Sequence, residues 1–520
     1  MLFGVAATWT QAAVAVLVNL IQLPLLYRYL PAEALGTWMV FMPIGLFLQF
    51  WDLGLGVTFA RSMAYAHGAR DQGDGRCAEA AADLLRTVGR TYWLLAAALY
   101  VAALGVGWAY LGHLKLEVTP FRVVWAAWMV YSLGCATNLG ASTPFYCLNG
   151  LGDVGIEQSL QAGCNVLSLI ANVVVLIAGG GILALSCAFV VRGLTARAAA
   201  WIILKRRHAW LFQRAGRFSF SRLKALSGDS LRILVTRLGA FLVLQTPGLI
   251  IAQLMGPAHV PDFAAAWMIV QLGATAGMAV GQAVTPQAAI AYASGDAARL
   301  LRLHRNACAA ALFLISLWCL GSLLWAREGM TLWLGPGHFL GYGVLVPMLI
   351  TGTLEVHHSI HANFVWSVGR WPFAPWALIA GALNLGLGIW WVNWFARGEA
   401  GMAWATCAAQ ALTSNWYVVY YALRRLNVPV KRYAREVLAP VSGIILASAA
   451  LALAVKAGLP RALDLAGAFR GLPTTDLAVM IFGAAATVSC AFALFWRLGI
   501  DNDARGAVRF QVRRLAARSA

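Results

Sequence analysis

Charged residues are scarce in this sequence. Asp, Glu, Lys and Arg make up 11% of its 520 residues, against roughly a quarter in a soluble domain. Acids are scarcest, at 20 against 39 Lys and Arg. Such a chain cannot clothe a soluble surface, and 61% of it is hydrophobic. The cysteines lack metal or disulfide spacing: there are nine, an odd number, and most sit inside apolar runs (Cys135, Cys164, Cys187, Cys319, Cys490). That excludes a disulfide framework and a zinc motif. No P-loop is present, which argues against ATP-driven work by this chain. Apolar and polar residues do not alternate over segments of about ten, which argues against a β-barrel. The first apolar run lacks a basic leader and a small-residue cleavage site, so it reads as a spanning helix rather than a signal peptide.

What is there is a series of long apolar runs. Fourteen segments are long enough to cross a bilayer: 3–29, 34–64, 91–111, 122–147, 157–179, 181–204, 230–255, 262–290, 307–326, 338–367, 372–395, 400–423, 436–457 and 475–497. The expected class is an all-α polytopic membrane protein. The net charge of +19 follows from cytoplasmic loops that collect Lys and Arg, and no nucleic-acid partner is implied. With the N-terminus in the cytoplasm, 27 cations fall inside and 8 outside. That bias predicts that both termini are cytoplasmic.

The halves carry a faint repeat. Trp38-Met39-Val40 leads to Ala64-Tyr65-Ala66-His67-Gly68, and Trp267-Met268-Ile269 leads to Ala291-Tyr292-Ala293-Ser294-Gly295. The expected organisation is a six-helix bundle over 1–204, a basic linker at 205–229, a second six-helix bundle over 230–424, two further helices over 425–497 and a basic tail at 498–520. Parallel repeats around a central cavity are a transporter architecture. Pro24, Pro43, Pro144, Pro247, Pro286 and Pro347 fall inside the segments, where proline bends a helix.

The second segment is the most unusual. Leu30 to Trp38 reads LPAEALGTW, an apolar run follows, and Asp52 to Arg61 reads DLGLGVTFAR. The turn Leu148 to Gly155 reads LNGLGDVG. Together with fourteen spans, these resemble the polysaccharide transporter family, the oligosaccharide and O-antigen flippases, within the superfamily that also holds multidrug exporters and lipid II flippases. The resemblance implies movement of a polyprenyl-diphosphate-linked oligosaccharide from the cytoplasmic to the periplasmic leaflet of a bacterial inner membrane. It also implies glycosyltransferases on the inside and a polymerase on the outside as pathway partners.

A diphosphate calls for arginine, whose guanidinium makes paired, charge-assisted hydrogen bonds. Arg192 lies about 11 residues into its segment, roughly 16 Å deep and near the bilayer mid-plane. Arg197, Arg232 and Arg237 lie within or at the edge of spans, and Arg28 and Arg61 lie near helix ends. These six are the candidate substrate-binding residues. Interfacial anchoring is the simpler account of Arg28 and Arg61, and structural pairing is the rival account of the rest. Asp52 is read either as the partner of an intramembrane arginine or as a coupling group. Glu355, His357, His358 and His361 fall on one side of a helix and suit proton or sodium coupling, hydrogen bonds to sugar hydroxyls, or a polar seam. HExxH is absent, so His357 and His361 are not assigned a metal. Trp38, Trp51, Trp267 and Trp366 are candidates for stacking on sugar rings. No cofactor and no catalytic residue is expected. The external segments 112–121 and 458–474 lack a paired-acid motif, which argues against a membrane glycosyltransferase or polymerase. A multidrug or cation antiporter and a lipid II flippase remain as alternatives.

Overall fold

The computed structural model describes residues 2–49, 52, 54–71, 76–213, 216–226, 230–367, 373–395, 398–465 and 474–499. Trp51, the basic tail from residue 500 on and residues 466–473 of the 458–474 segment lie outside the described residues. Among the described residues there is helix and no strand. The helices group into two compact units, residues 1–261 and 262–520.

The N-terminal unit contains α1 (Leu2–Tyr29), α2 (Ala32–Gln49), α3 (Leu55–Asp71), α4 (Arg76–Leu111), α5 (Phe121–Gly140), α6 (Thr143–Gly150), α7 (Val154–Ile177), α8 (Gly181–Arg207), α9 (Phe220–Leu226), α10 (Ser230–Leu244) and α11 (Thr246–Leu254). A short 3-10 turn, Pro257–His259, follows. The C-terminal unit is built on α12 (Val260–Ala293), α13 (Ala297–Leu334), α14 (Tyr342–Ser367), α15 (Ala374–Trp390), α16 (Glu399–Leu412), α17 (Ser414–Arg425), α18 (Val430–Tyr433), α19 (Ala439–Leu465) and α20 (Thr474–Leu494). By packing, α10 and α11 group with the N-terminal unit, where α11 lies against α2.

Every one of the fourteen apolar segments is occupied by helix. Eight unbroken helices are long and apolar enough to cross a membrane among the described residues, and the pair α10–α11 makes a ninth across a 43° bend. Several of the remaining segments are each divided between two shorter helices. Segment 34–64, expected as one helix, breaks between α2 and α3 around Asp52, where Gly54 takes a φ of +74°. Segment 122–147 breaks at Ala141–Ser142, and Pro144 opens α6 rather than kinking a continuous helix. Pro247 likewise opens α11. Proline has no backbone N–H and fits the first turn, where none is needed. Pro24, Pro43, Pro286 and Pro347 sit inside helices as expected.

Large apolar side chains face outward from these helices. Leu94, Val101 and Leu446 are each 70% exposed. A soluble protein would bury them, whereas a bilayer accepts them. The C-terminal unit packs its core on α13, where Phe313 stacks on Phe495 at 4.1 Å between ring centroids. In the N-terminal unit, Trp38, Phe41, Trp128 and Tyr131 form an aromatic cluster between α2 and α5, with Trp38–Tyr131 and Phe41–Trp128 edge to face.

Candidate functional site

Asp52 is buried at the gap between α2 and α3. One carboxylate oxygen accepts from the Tyr92 hydroxyl of α4 and, at 3.2 Å, from the backbone N–H of Gly56. The other accepts from the Tyr146 hydroxyl of α6 at 3.5 Å. The carboxylate thus caps the start of α3 and ties it to two neighbours. The glycines of DLGLG make this possible. Gly54 supplies the left-handed turn, and a Cβ at Gly56 would lie 2.2 Å from the Tyr146 ring.

Asp52 and Tyr146 line a cavity of ≈ 590 Å³ inside the N-terminal unit. Three arginines reach the same cavity: Arg192 and Arg197 from α8, and Arg237 from α10. Arg192 is half-buried and donates to the side-chain oxygen of Asn165 on α7. Arg197 donates through Nε to the Asn138 carbonyl at 2.7 Å and through Nη1 to the Gly193 carbonyl at 3.2 Å, with its guanidinium 5.6 Å from the Phe145 ring centre. Gly193 lets α8 approach α5 this closely, because a Cβ there would meet the Asn138 side chain at 2.0 Å. Arg237 is exposed on the cavity wall.

A second buried acid, Glu157 of α7, lines the cavity and escaped the sequence reading. It accepts from Gln161 one turn on, from Gln158 at 3.0 Å and from Asn149 at 3.5 Å. The spacing of Glu157 and Gln161 was its sequence signal. Asn138, Asn149, Gln158 and Gln161 make the wall rich in amides. The cavity therefore combines three guanidinium groups, two carboxylates and a set of neutral donors and acceptors. Arg192 hydrogen-bonds an amide and Arg197 backbone carbonyls, so neither hydrogen-bonds a carboxylate.

The other expected residues lie elsewhere. Arg28 is exposed, with its guanidinium 5.9 Å from the Tyr29 ring centre, and Arg61 is exposed on α3; neither lines the cavity. Arg232 belongs to α10, and its side chain lies outside the described residues. Trp38 is buried in the aromatic cluster, Trp267 is half-buried, and Trp366 is 62% exposed on α14. None of the three lines the cavity. On α14 the four polar side chains split into two pairs. His358 Nδ1 lies 3.7 Å from Glu355, too far for a hydrogen bond. His357 meets the Tyr433 hydroxyl at 2.8 Å, and His361 is fully buried beside it.

Two signature stretches are structural. Glu33 accepts from the backbone N–H groups of Glu117, Val118 and Thr119 at 2.6–3.2 Å and so clamps the α4–α5 loop. In LNGLGDVG, Gly152 turns with a φ of +85°, and Asp153 holds His208 at 2.7 Å and Arg207 at 3.3 Å at the end of α8.

Neither a protein-family model nor a curated sequence matches this chain. Solved structures do. A lipid II flippase, MurJ, in an inward closed conformation aligns with a TM-score of 0.67 at 12% identity, over 95% of this chain and 99% of its own. An inward-facing multidrug resistance MATE transporter aligns at 0.64 and 16% identity, over 81% of this chain and 98% of its own. A transporter from Pyrococcus furiosus, described as having a binding pocket of reversed polarity, aligns at 0.57 and 15% identity, over 81% and 94%. The chain shares the fold of these solved structures. At these identities the likeness concerns the fold.

Proposed function

We propose that this multi-pass membrane protein is a flippase. Its cargo would be a polyprenyl-diphosphate-linked oligosaccharide, an O-antigen or exopolysaccharide repeat unit. Alternating access would carry the cargo from the cytoplasmic to the periplasmic leaflet of a bacterial inner membrane, with both termini cytoplasmic. The observation that carries this reading is the convergence of Arg192, Arg197 and Arg237 on one cavity. An ionised group at membrane depth is costly and is kept where it meets a polar path or a partner. Guanidinium groups suit the oxygens of a diphosphate, and amide walls suit sugar hydroxyls. The lipid tail stays in the bilayer. Pathway glycosyltransferases and a polymerase would supply and consume the cargo. An organic cation would meet three like charges here, so the antiporter reading is the weaker one; its support is the pair of buried acids, Asp52 and Glu157.

The test is lipid-linked glycan movement in cells carrying Arg192→Ala, Arg192→Lys or Arg237→Ala, each matched for protein level. The expected result is at least a tenfold fall for Arg192→Ala with cytoplasm-facing lipid-linked glycan accumulating, and partial recovery with Lys. Unchanged transport in both alanine variants rejects the diphosphate site. Drug efflux that survives those variants and is lost in Glu157→Gln would establish the antiporter instead.

A further inference from the structure

The C-terminal unit holds a second polar cluster that the flippase reading does not use. His304 and Cys308 lie one turn apart on α13, and His361 faces them from α14. All three are buried, at 2%, 1% and 0% exposure. We propose that His304, Cys308 and His361 form a thiolate–bis-imidazole site for a soft d10 metal ion, with monovalent copper its preferred occupant.

The distances support this. Cys308 Sγ lies 3.6 Å from His304 Nε2 and 3.9 Å from His361 Nε2. A metal bound to sulfur at about 2.3 Å and to nitrogen at about 2.0–2.1 Å separates those atoms by roughly 3.6 Å. The ring orientation is set in advance. His361 Nδ1 lies 2.8 Å from the His357 carbonyl, which can only accept, so the ring hydrogen sits on Nδ1. That leaves the Nε2 lone pair directed at Cys308. A backbone carbonyl fixing a histidine tautomer in this way is the usual support behind a metal-bound imidazole. Tyr433, whose ring centroid lies 5.4 Å from that of His361 and 6.2 Å from that of His304, closes one side of the cluster.

The site also has an entrance. A cavity of ≈ 260 Å³ is lined by His304 and Tyr433 together with Arg302, Arg305, Arg432 and Glu436. Binding replaces the Cys308 S–H bond with a sulfur–metal bond, and the released proton leaves by this path. Charge favours copper. A thiolate, two neutral imidazoles and a monovalent cation sum to zero, whereas divalent zinc would leave a net positive charge in a fully buried site. Thiolate ligands select Cu(I) and zinc over harder ions.

The experiment is titration of the purified full-length protein in detergent with buffered Cu(I) and, separately, with Zn(II), followed by X-ray absorption at the metal edge. The proposal expects one copper per chain, coordinated by one sulfur and two nitrogens, with at least tenfold weaker binding in Cys308→Ser. Melting without metal shows whether that variant folds, and the wild-type spectrum needs no variant at all. A sulfur-free spectrum, or equal affinity in a folded Cys308→Ser, overturns the site and leaves a thiol–imidazole hydrogen bond. Tight zinc with weak copper overturns the choice of metal.

Discussion

A carboxylate inside an apolar segment needs donors, and Asp52 has the Tyr92 and Tyr146 hydroxyls and a backbone N–H. Asp52→Asn keeps one oxygen for the Tyr92 hydroxyl and the Gly56 N–H, presents an amide N–H to the Tyr146 hydroxyl, which can accept it, and removes the charge, so it is expected to melt within a few degrees of wild type. Tyr92→Phe removes a donor from a buried charge and is expected to cost about 2 kcal/mol, read as a fall in melting temperature in detergent. If Asp52 couples transport to an ion, Asp52→Asn abolishes transport while Tyr92→Phe retains part of it; equal loss in both assigns Asp52 to architecture. Glu33→Ala strands three backbone donors and is expected to cost about 2 kcal/mol as well, with the 113–120 loop cut sooner in limited proteolysis. Arg192, Arg197, Arg237 and Asp52 were legible in the sequence because a charge is conspicuous in an apolar run. Glu157 was not, because it opens the segment 157–179, and an acid at the very end of a span reads as interfacial. Tyr92 and Tyr146 were hidden for a different reason: a tyrosine in an apolar helix looks like packing, and only the fold turns its hydroxyl toward Asp52.

At the scale of helices, glycine decides which pairs approach closely. Gly36 on α2 faces the 3-10 turn after α11, and a Cβ there would lie 1.7 Å from the Pro257 carbonyl oxygen. Backbone cannot step aside as a side chain does, so Gly36→Ala is expected to destabilise by about 1–3 kcal/mol. Gly68, within α3, would place its Cβ in open space. There the same substitution is expected to stabilise by about 0.5–1 kcal/mol, since alanine is the better helix former. Thermal melts of the two variants should therefore move in opposite directions; a shared direction would contradict the packing of α2 against that turn. Element breaks were legible where proline marks them, at Pro144 and Pro247. The break at Asp52 was half-visible in its two glycines. The break at Thr413, between α16 and α17, carries no comparable signal.

For the whole molecule, the all-α membrane class was open to reading because long apolar runs have few other outcomes. The division into units was less so. The basic stretch 205–229 is the obvious seam in the sequence, whereas packing divides the chain at 261/262. A linker is conspicuous by charge, but a unit is defined by contacts that α10 and α11 make far from their own place in the chain. The charge bias still makes a testable statement about orientation. A periplasm-dependent reporter such as alkaline phosphatase, fused after His113, is expected to be active, and one fused after Asn427 inactive. Activity at both positions, or the reverse pattern, would refute cytoplasmic termini.

One end of the N-terminal unit is stitched together. Tyr110 donates to the Leu249 carbonyl at 2.6 Å and Lys115 to the Leu254 carbonyl at 2.8 Å, while Glu33 grips the loop that carries Lys115. Helix α11 is thus fastened along its length, and α10 departs from it at the 43° bend. Arg237 sits eight residues before that bend at Gln245, on a lever arm of about 12 Å. A change of about 10° at this pivot swings Arg237 through about 2 Å, enough to make or break a hydrogen bond across the cavity.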